Sequence, residues 1–232
     1  MKLAVALLLG LMGSLLPAGL ASAQLVGYAL YDVGAATTEL GSDKGQSKLV
    51  YGMGAGASYG ILSMGDLRFV VGADLLVRGF GLEVPARVEL DTGVFDQSDV
   101  WLDQYVALRF RSVMAGVYFE QRSIDRGRAG TIGTPASGVG LLSEISWGER
   151  VIARISYADF SRGRLRVDGA PLKPDVTSGR SVRVSLTYQL TDRWSARGAY
   201  ASTTMEIEPV PPTFSFFDHR QSLVTSGLVL TF

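Results

Sequence analysis

Apolar and polar residues alternate one by one along most of the chain from residue 24 onward. The last segment is typical, with Val224, Leu228 and Leu230 on one face of an extended strand and Thr225 and Gly227 on the other. A period of two predicts β-strands that are apolar on one face only. Ten segments of this kind follow one another, so the sequence predicts an all-β fold.

The links between these ten segments alternate between short turns and long polar stretches. An even number of antiparallel strands, with short turns on one side and long loops on the other, is typical of an up-and-down β-barrel. The segment 151–167 alternates least regularly, and we expect a bulge near Asp159, or the strand to rise above the membrane there. A different division of this segment would give eight strands instead of ten. The five long links are 34–47, 85–99, 123–136, 168–179 and 208–218.

The charged residues of these segments fall on the face opposite the apolar one. A barrel in lipid has its apolar face outside and its polar face inside, the reverse of a soluble sandwich. Closure also leaves no unpaired strand edge in hydrocarbon. The sequence therefore predicts a ten-stranded antiparallel transmembrane up-and-down β-barrel. Its predicted lumen charge network consists of Asp32, Arg68, Asp74, Arg78, Asp103, Arg109, Glu120, Arg122, Glu144, Arg154, Arg183 and Arg197.

Large aromatic residues gather at the strand ends beside the short turns. Tyr59, Phe110, Trp147, Tyr188 and Trp194 all fall on the apolar face there. Aromatic side chains prefer the membrane interface, so these residues predict an aromatic girdle at one boundary of the bilayer. A soluble β-sandwich or a soluble lipid-binding barrel would also alternate, but neither predicts such a girdle.

The second strand carries glycine at nearly every inward position, including Gly52, Gly54, Gly56 and Gly60. Glycine weakens a strand unless a bulky group must fit against it. We therefore expect long side chains from other strands to occupy the space beside this strand.

The chain ends on an aromatic residue at the end of a strand. Thr225, Gly227, Leu230 and Phe232 have a spacing that resembles the C-terminal insertion signal of Gram-negative outer-membrane β-barrel proteins. The resemblance implies recognition by the barrel-assembly machinery and insertion as a closed barrel. The expected surroundings are then outer-membrane lipid and lipopolysaccharide.

The first 23 residues have the three parts of a secretory signal peptide. Lys2 precedes an apolar run, and Ala21, Ser22 and Ala23 form a small-residue cleavage site. An uncleaved membrane anchor is the alternative, because the run is nearly long enough to span a bilayer. We expect a signal peptide at 1–23 and one outer-membrane barrel domain at 24–232, located in the cell outer membrane after secretion to the periplasm.

The overall composition narrows the chemistry. The full chain has 22 basic and 22 acidic residues, a single histidine and no cysteine. Basic residues are interleaved with acids, which predicts no nucleic-acid partner. One histidine without cysteine predicts no metal site, and no phosphate-binding loop or cofactor motif is present. Without disulfides, closure and packing must supply stability.

The inward charges support two hypotheses for function. Arginines and acids that pair across the lumen would form a structural plug, and function would then lie in a structural or surface-binding role of the five long loops. The alternative is a narrow passive pore, whose excess of inward arginines would favour anions. Phe214, Phe216 and Phe217 give the fifth loop an apolar tip that could fold over the mouth, touch lipopolysaccharide or bind a partner.

Two enzyme families of the outer membrane resemble this chain only superficially. Asp96 or Asp99 with Asp218 and His219 resembles the paired catalytic groups of omptin surface proteases, but adjacent Asp218 and His219 point to opposite faces of a strand. Lipid A deacylases use a His/Ser pair, and His219 with Ser222 lacks the His-x-Ser spacing. The sequence therefore predicts no enzyme and a solvated loop histidine.

Overall fold

A computed structural model describes residues 25–40, 43–82, 95–126, 132–163, 166–167, 175–207 and 217–232. All the secondary-structure elements within these ranges are strands. No helix in these ranges is long and apolar enough to cross a membrane. The predicted signal peptide and the loop residues Phe214 and Phe216 lie outside the described residues.

Strands run almost the whole length of the described chain. Ten are long, and the remaining one is a two-residue strand that pairs with its neighbour near the long-loop end. The strands are β1 (Leu25–Leu40), β2 (Asp43–Met64), β3 (Leu67–Leu82), β4 (Phe95–Phe110), β5 (Val113–Arg126), β6 (Ile132–Trp147), β7 (Val151–Gly163), β8 (Arg166–Val167), β9 (Val176–Gln189), β10 (Trp194–Ile207) and β11 (Phe217–Thr231).

The ten long strands form one closed antiparallel sheet. Each pairs with the next long strand along the chain, and β1 pairs with β11 from Tyr28↔Thr231 to Leu40↔His219. Strand β7 pairs directly with β9, so the short β8 does not interrupt the circle. The predicted ten-stranded barrel is confirmed, and the eight-stranded alternative is wrong.

The predicted short turns lie between β2 and β3, β4 and β5, β6 and β7, and β9 and β10. Gly65 and Gly148 have φ of 62° and 61°, a left-handed backbone that glycine adopts without strain. Arg111 adopts a similar φ of 53° in the second turn, where its side chain pairs with Asp66 at 2.8 Å. These tight connections place both ends of the barrel domain on one side.

The strands extend further toward the long loops than the sequence predicts. Strands β1 and β2 pair up to Leu40 and Asp43, β4 begins at Phe95, and β11 begins at Phe217. About 9–11 residues suffice to span a bilayer, and these strands have 15 to 22. Backbone pairing does not need lipid, so the sheet continues above the level at which the apolar alternation stops.

The irregular segment after residue 150 contains a bulge at Ser161. Gly138 pairs with Phe160 and Ser137 with Arg162, so Ser161 has no partner on β6. This lies two residues beyond the predicted position at Asp159. The strand continues past the bulge to Gly163, which explains why its sequence phase changes without a break in the sheet.

The two faces of the barrel differ in polarity as predicted for lipid surroundings. Large apolar side chains cover the outside; Leu49, Leu141 and Val224 are each at least 60% exposed. Charged side chains such as Asp32 and Glu120 lie inside and are almost completely buried. An apolar exterior around a charged interior is the arrangement of a transmembrane barrel.

Candidate functional site

The glycines of β2 make room for the charged interior. A Cβ atom on Gly52 would collide with Asp32 Oδ1, and one on Gly56 would collide with Asp74 Oδ1 and the ring of Tyr28. Side chains from β1 and β3 therefore lean across β2 into the lumen. This is the space that the glycine pattern of the sequence predicts.

A chain of ion pairs crosses the lumen on the side of the short turns. Glu144 accepts hydrogen bonds from Arg109 Nη2 at 2.5 Å and from Arg154 Nε at 3.0 Å. Arg154 Nη1 also donates to Asp74 Oδ2 at 3.0 Å. Strands β3, β4, β6 and β7 are thereby joined through the interior.

A second group of ion pairs lies further from the short turns. Arg183 of β9 contacts Asp103 Oδ2 of β4 at 2.6 Å and Glu120 Oε2 of β5 at 3.2 Å. Tyr118 donates its hydroxyl hydrogen to the same Glu120 oxygen at 3.2 Å. The charges of β9 and β4 therefore meet across the barrel, not between neighbouring strands.

The most deeply buried pair joins Arg122 and Asp99. Arg122 donates from Nε to Asp99 Oδ1 at 3.0 Å and from Nη2 to Asp99 Oδ2 at 2.6 Å, a bidentate geometry. It also donates to Thr203 Oγ1 and to Gln221 Oε1 on the opposite wall. The sequence misses Asp99 as a lumen residue because it assigns 85–99 to a loop; β4 in fact begins at Phe95.

Trp101 lies among the arginines of the lumen, and the sequence predicted no role for it. The guanidinium carbons of Arg78, Arg122 and Arg183 lie 4.7, 4.4 and 5.0 Å from its ring centroid. These are cation–π distances, which strengthen when the groups are desolvated. Arg78 also pairs with Asp32 at 2.8 Å. One indole therefore holds three arginines, each paired with a carboxylate.

An apolar layer packs around Trp101 in the lumen. It consists of Ala36, Val50, Phe80, Ala201 and Leu223, which come from five different strands and are all at most 7% exposed. A water-filled channel would leave the residues that line it accessible. The interior at this level is instead packed like a protein core.

A cavity of about 70 Å³ lies in the lumen beside Trp101. Arg197 and Arg154 line it. Among the described residues, Arg197 forms no ion pair within 4 Å. Arg68, another predicted lumen charge, packs its aliphatic chain beside Gly60 near the short-turn end and is largely exposed.

The predicted girdle and insertion signal occupy the short-turn end. Phe110, Trp147, Tyr188 and Trp194 are exposed on the outer face, and Tyr59 is half-buried there. Of the insertion-signal residues, Thr225 and Gly227 face the lumen, and Phe232 is exposed outside, with its backbone hydrogen-bonded to Gly27. Their roles in anchoring and in recognition stay predictions.

Of the candidate catalytic groups, the structure describes the side chains of Asp99, His219 and Ser222. Asp99 is bound to Arg122, and His219 is 1% exposed inside the barrel, so the prediction of a solvated loop histidine is wrong. Strand β11 begins earlier than predicted and carries His219 into the lumen, whereas Ser222 is exposed on the outer face. No three His, Asp or Glu side chains of the described chain cluster as a metal site. The side chains of Asp96 and Asp218 lie outside the described residues.

Comparison with solved structures finds outer-membrane β-barrels of low sequence identity. Outer membrane protease OmpT from Escherichia coli is 10% identical with a TM-score of 0.47, over 90% of this chain and 96% of that one. The translocator domain of autotransporter NalP from Neisseria meningitidis is 9% identical with a TM-score of 0.43, covering 99% and 95%. Neisserial surface protein A is 13% identical with a TM-score of 0.37, covering 91% and 99%. No protein-family model and no curated protein matches the chain.

The architecture of the chain itself identifies its class. Ten long antiparallel strands close on themselves, with an apolar outer face, a charged interior and tight turns on one side. These features together are those of barrels that span the outer membrane of Gram-negative bacteria. The chain is an integral outer-membrane β-barrel of ten strands.

Proposed function

We propose that this protein is a closed, non-conducting barrel that anchors and presents its long-loop end at the cell surface, where it has a structural or surface-binding role. The observation that supports this most directly is the dense packing of buried side chains around Trp101. Phe80, Leu223 and Arg122 fill the section at this level and are each at most 3% exposed. We expect that no solute larger than water passes such a packed section.

The ion pairs around this section resist rearrangement. Moving Arg122 out of the lumen would leave Asp99 buried without its counter-charge, and moving Arg183 would do the same to Glu120. Breaking a buried ion pair in this way costs about 3–5 kcal/mol. The closed state is therefore the stable one, and thermal motion of a single side chain does not open the barrel.

A rigid closed barrel suits the presentation of loops. Binding residues are often placed on loops that a rigid scaffold positions. The aromatic sequence around Phe214, Phe216 and Phe217 is more apolar than a solvated loop requires, and it is the segment we propose for contact with lipopolysaccharide or with an extracellular ligand. Insertion by the barrel-assembly machinery through Phe232 belongs to the same proposal.

A narrow pore that prefers anions is the second candidate. It is favoured by the cavity beside Trp101, which four arginines line: Arg78, Arg154, Arg183 and Arg197. Displacement of Trp101 would have to connect this cavity to the long-loop end. The two candidates thus differ in whether the apolar layer stays closed in the membrane.

Conductance of the refolded mature protein in a planar bilayer distinguishes them. We expect the unaltered barrel to give no conductance steps. We expect Trp101→Ala combined with Phe80→Ala to give discrete steps, because the two aromatic side chains at this level of the lumen are removed. Trp147→Ala is the matched control, since Trp147 is exposed on the outer face.

Heat-modifiable gel mobility verifies that each variant is folded before it is measured. Steady conductance of the unaltered protein, with an anion preference that Arg183→Gln reduces, would reject the closed scaffold and establish the pore. Silence of the unaltered barrel together with steps from the double variant would support the proposal.

A further inference from the structure

One polar side chain on the outer wall lies where the barrel faces hydrocarbon. Gln104 of β4 is exposed, whereas its neighbours Asp103 and Tyr105 are buried, so its amide points outward. The next outward residues along the strand on either side are apolar, Leu102 and Val106. Gln104 therefore interrupts the apolar outer face of its strand.

The depth of Gln104 follows from its distance to the aromatic girdle. It lies six residues from the girdle residue Phe110 on β4. Six residues of a tilted strand rise about 15 Å along the membrane normal, and the apolar band of such a barrel is about 25 Å tall. Apolar residues continue on the outer face beyond Gln104, at Leu102 and Val100. The amide thus lies inside the band and not at either boundary.

The amide of Gln104 makes no hydrogen bond with any residue that the structure describes. Its cross-strand neighbours on the outer face are Ala73 on β3 and Phe119 on β5, and neither side chain carries a hydrogen-bonding group. An amide has one acceptor oxygen and two donor hydrogens, and hydrocarbon offers it no water. Leaving it unpaired there is unfavourable, which favours a polar partner inside the membrane.

We propose that Gln104 lies at a contact between two copies of this chain, which pair in the membrane as a two-fold symmetric dimer. Barrels inserted in the same direction are related by an axis along the membrane normal, which keeps each residue at the same depth in both copies. Gln104 beside this axis meets Gln104 of the second copy, and each amide donates to the carbonyl oxygen of the other. A different partner would need its own polar group at this depth, whereas a second copy supplies one by symmetry.

The shape of the wall around Gln104 suits the same pairing. On one side the outer face is low, because Ala73 on β3 and Ala57 on β2 follow in register. On the other side Phe119 projects from β5 and is 36% exposed. A two-fold axis at Gln104 brings the β5 side of each copy to the β3 side of the other, so a projecting ring faces a low wall twice. The inference does not depend on the proposed function, since a conducting barrel would present the same wall.

Sedimentation equilibrium of the refolded mature protein in density-matched detergent micelles tests the pairing. We expect the unaltered barrel to show a monomer–dimer equilibrium. Gln104→Leu should raise the dimer Kd at least about 10-fold, because it removes two hydrogen bonds across a membrane interface. Gln104→Asn keeps an amide and should retain part of the association. Heat-modifiable gel mobility verifies that each variant is folded.

Ser226→Leu is the matched control. Ser226 is exposed on the outer face of β11, six residues from Phe232, and strands β1, β2 and β3 separate β11 from β4. Like Gln104→Leu, this substitution replaces an outward polar side chain by leucine, and we expect it to leave the dimer Kd unchanged.

Cross-linking in lipid vesicles measures the same contact without detergent. The chain has no cysteine, so Val106→Cys introduces one thiol, two residues from Gln104 on the same face. A short bismaleimide should join Val106→Cys barrels in pairs, and adding Gln104→Leu should abolish these pairs. Ser226→Cys should give none.

A monomer at every protein concentration, without cross-links in vesicles, would overturn the proposal. A dimer whose Kd is the same for the unaltered barrel and for Gln104→Leu would overturn it too, since the contact would then lie on another wall. Equal weakening by Gln104→Leu and by Ser226→Leu would have the same consequence, because the effect would not depend on the position of the polar group.

Discussion

Gly52 illustrates how a single residue determines the interior. Its missing side chain leaves the space in which Asp32 Oδ1 and the aliphatic part of Arg78 meet. The alternation of β2 predicted glycines on the inward face and long neighbours against them. It did not predict which charges would meet there, because Asp32 and Arg78 lie on two other strands.

Replacing Gly52 should break this pair. Gly52→Ala places a Cβ against Asp32 Oδ1, and we expect a loss of about 3 kcal/mol in the free energy of unfolding, the lower end of the cost of breaking a buried ion pair. Gly198→Ala is the control, because nothing lies within 4 Å of its added Cβ, and it should change stability by less than about 0.5 kcal/mol. Urea unfolding followed by tryptophan fluorescence measures both. Equal midpoints for the two variants would show that Asp32 and Arg78 shift without cost.

Residue-level prediction fails where a strand continues beyond its apolar pattern. Asp99 and His219 are both buried in the lumen at the long-loop end of their strands. The sequence assigns Asp99 to the long link 85–99 and places His219 directly after the long link 208–218. Burial there comes from the opposite wall of the barrel, which no local pattern records.

At the scale of single strands, the alternation predicts the faces reliably and the boundaries only on the short-turn side. Lipid requires an apolar outer face, so the pattern holds for as long as the strand lies in the bilayer. Above the membrane the outer face is wet, and polar residues such as Thr37 and Ser222 remain paired in the sheet. On the long-loop side, the strands therefore extend beyond the segments in which apolar and polar residues alternate.

When an outward-facing residue is replaced by a charged one, the loss in the free energy of unfolding should depend on how deep that residue lies in the membrane. Leu141 lies six residues from the girdle residue Trp147 on β6, near the expected middle of the apolar band, and it is 65% exposed. Leu141→Arg should cost about 2–4 kcal/mol in lipid vesicles, whereas Leu190→Arg, beside a short turn, should cost at most about 1 kcal/mol. Reversible unfolding from vesicles measures both substitutions. Equal small costs would mean that Leu141 faces water, and the membrane placement of β6 would be wrong.

At the scale of the whole molecule, the seam between β1 and β11 closes the barrel. Gly227 of β11 lies against the backbone of Tyr31 and Asp32 on β1, where an added Cβ would collide with the Tyr31 carbonyl oxygen. The same glycine belongs to the C-terminal pattern that resembles an insertion signal. Its close approach to β1 is a structural reason for glycine at this position, separate from recognition during assembly.

Gly227→Ala should therefore weaken closure even without assembly machinery. We expect about 1–3 kcal/mol lower stability of the refolded barrel, because the seam must separate to admit a methyl group. Ser226→Ala, an exposed neighbour on the outer face, is the control. The folded fraction in heat-modifiable gels and the urea midpoint measure the effect. Normal refolding of Gly227→Ala in detergent, with failed insertion in cells, would assign this glycine to recognition instead.

The sequence by itself determined the all-β class, the ten strands, the outward and inward faces, and the short turns. These features follow from local rules. The pleat points successive side chains to opposite faces of the strand, and lipid outside with a polar interior decides which face carries the apolar residues. Only the tertiary structure decided which charges pair, that Trp101 collects three arginines, and that Asp99 and His219 are buried. These contacts join strands such as β4 and β9 across the lumen, and closure with its particular register brings them together.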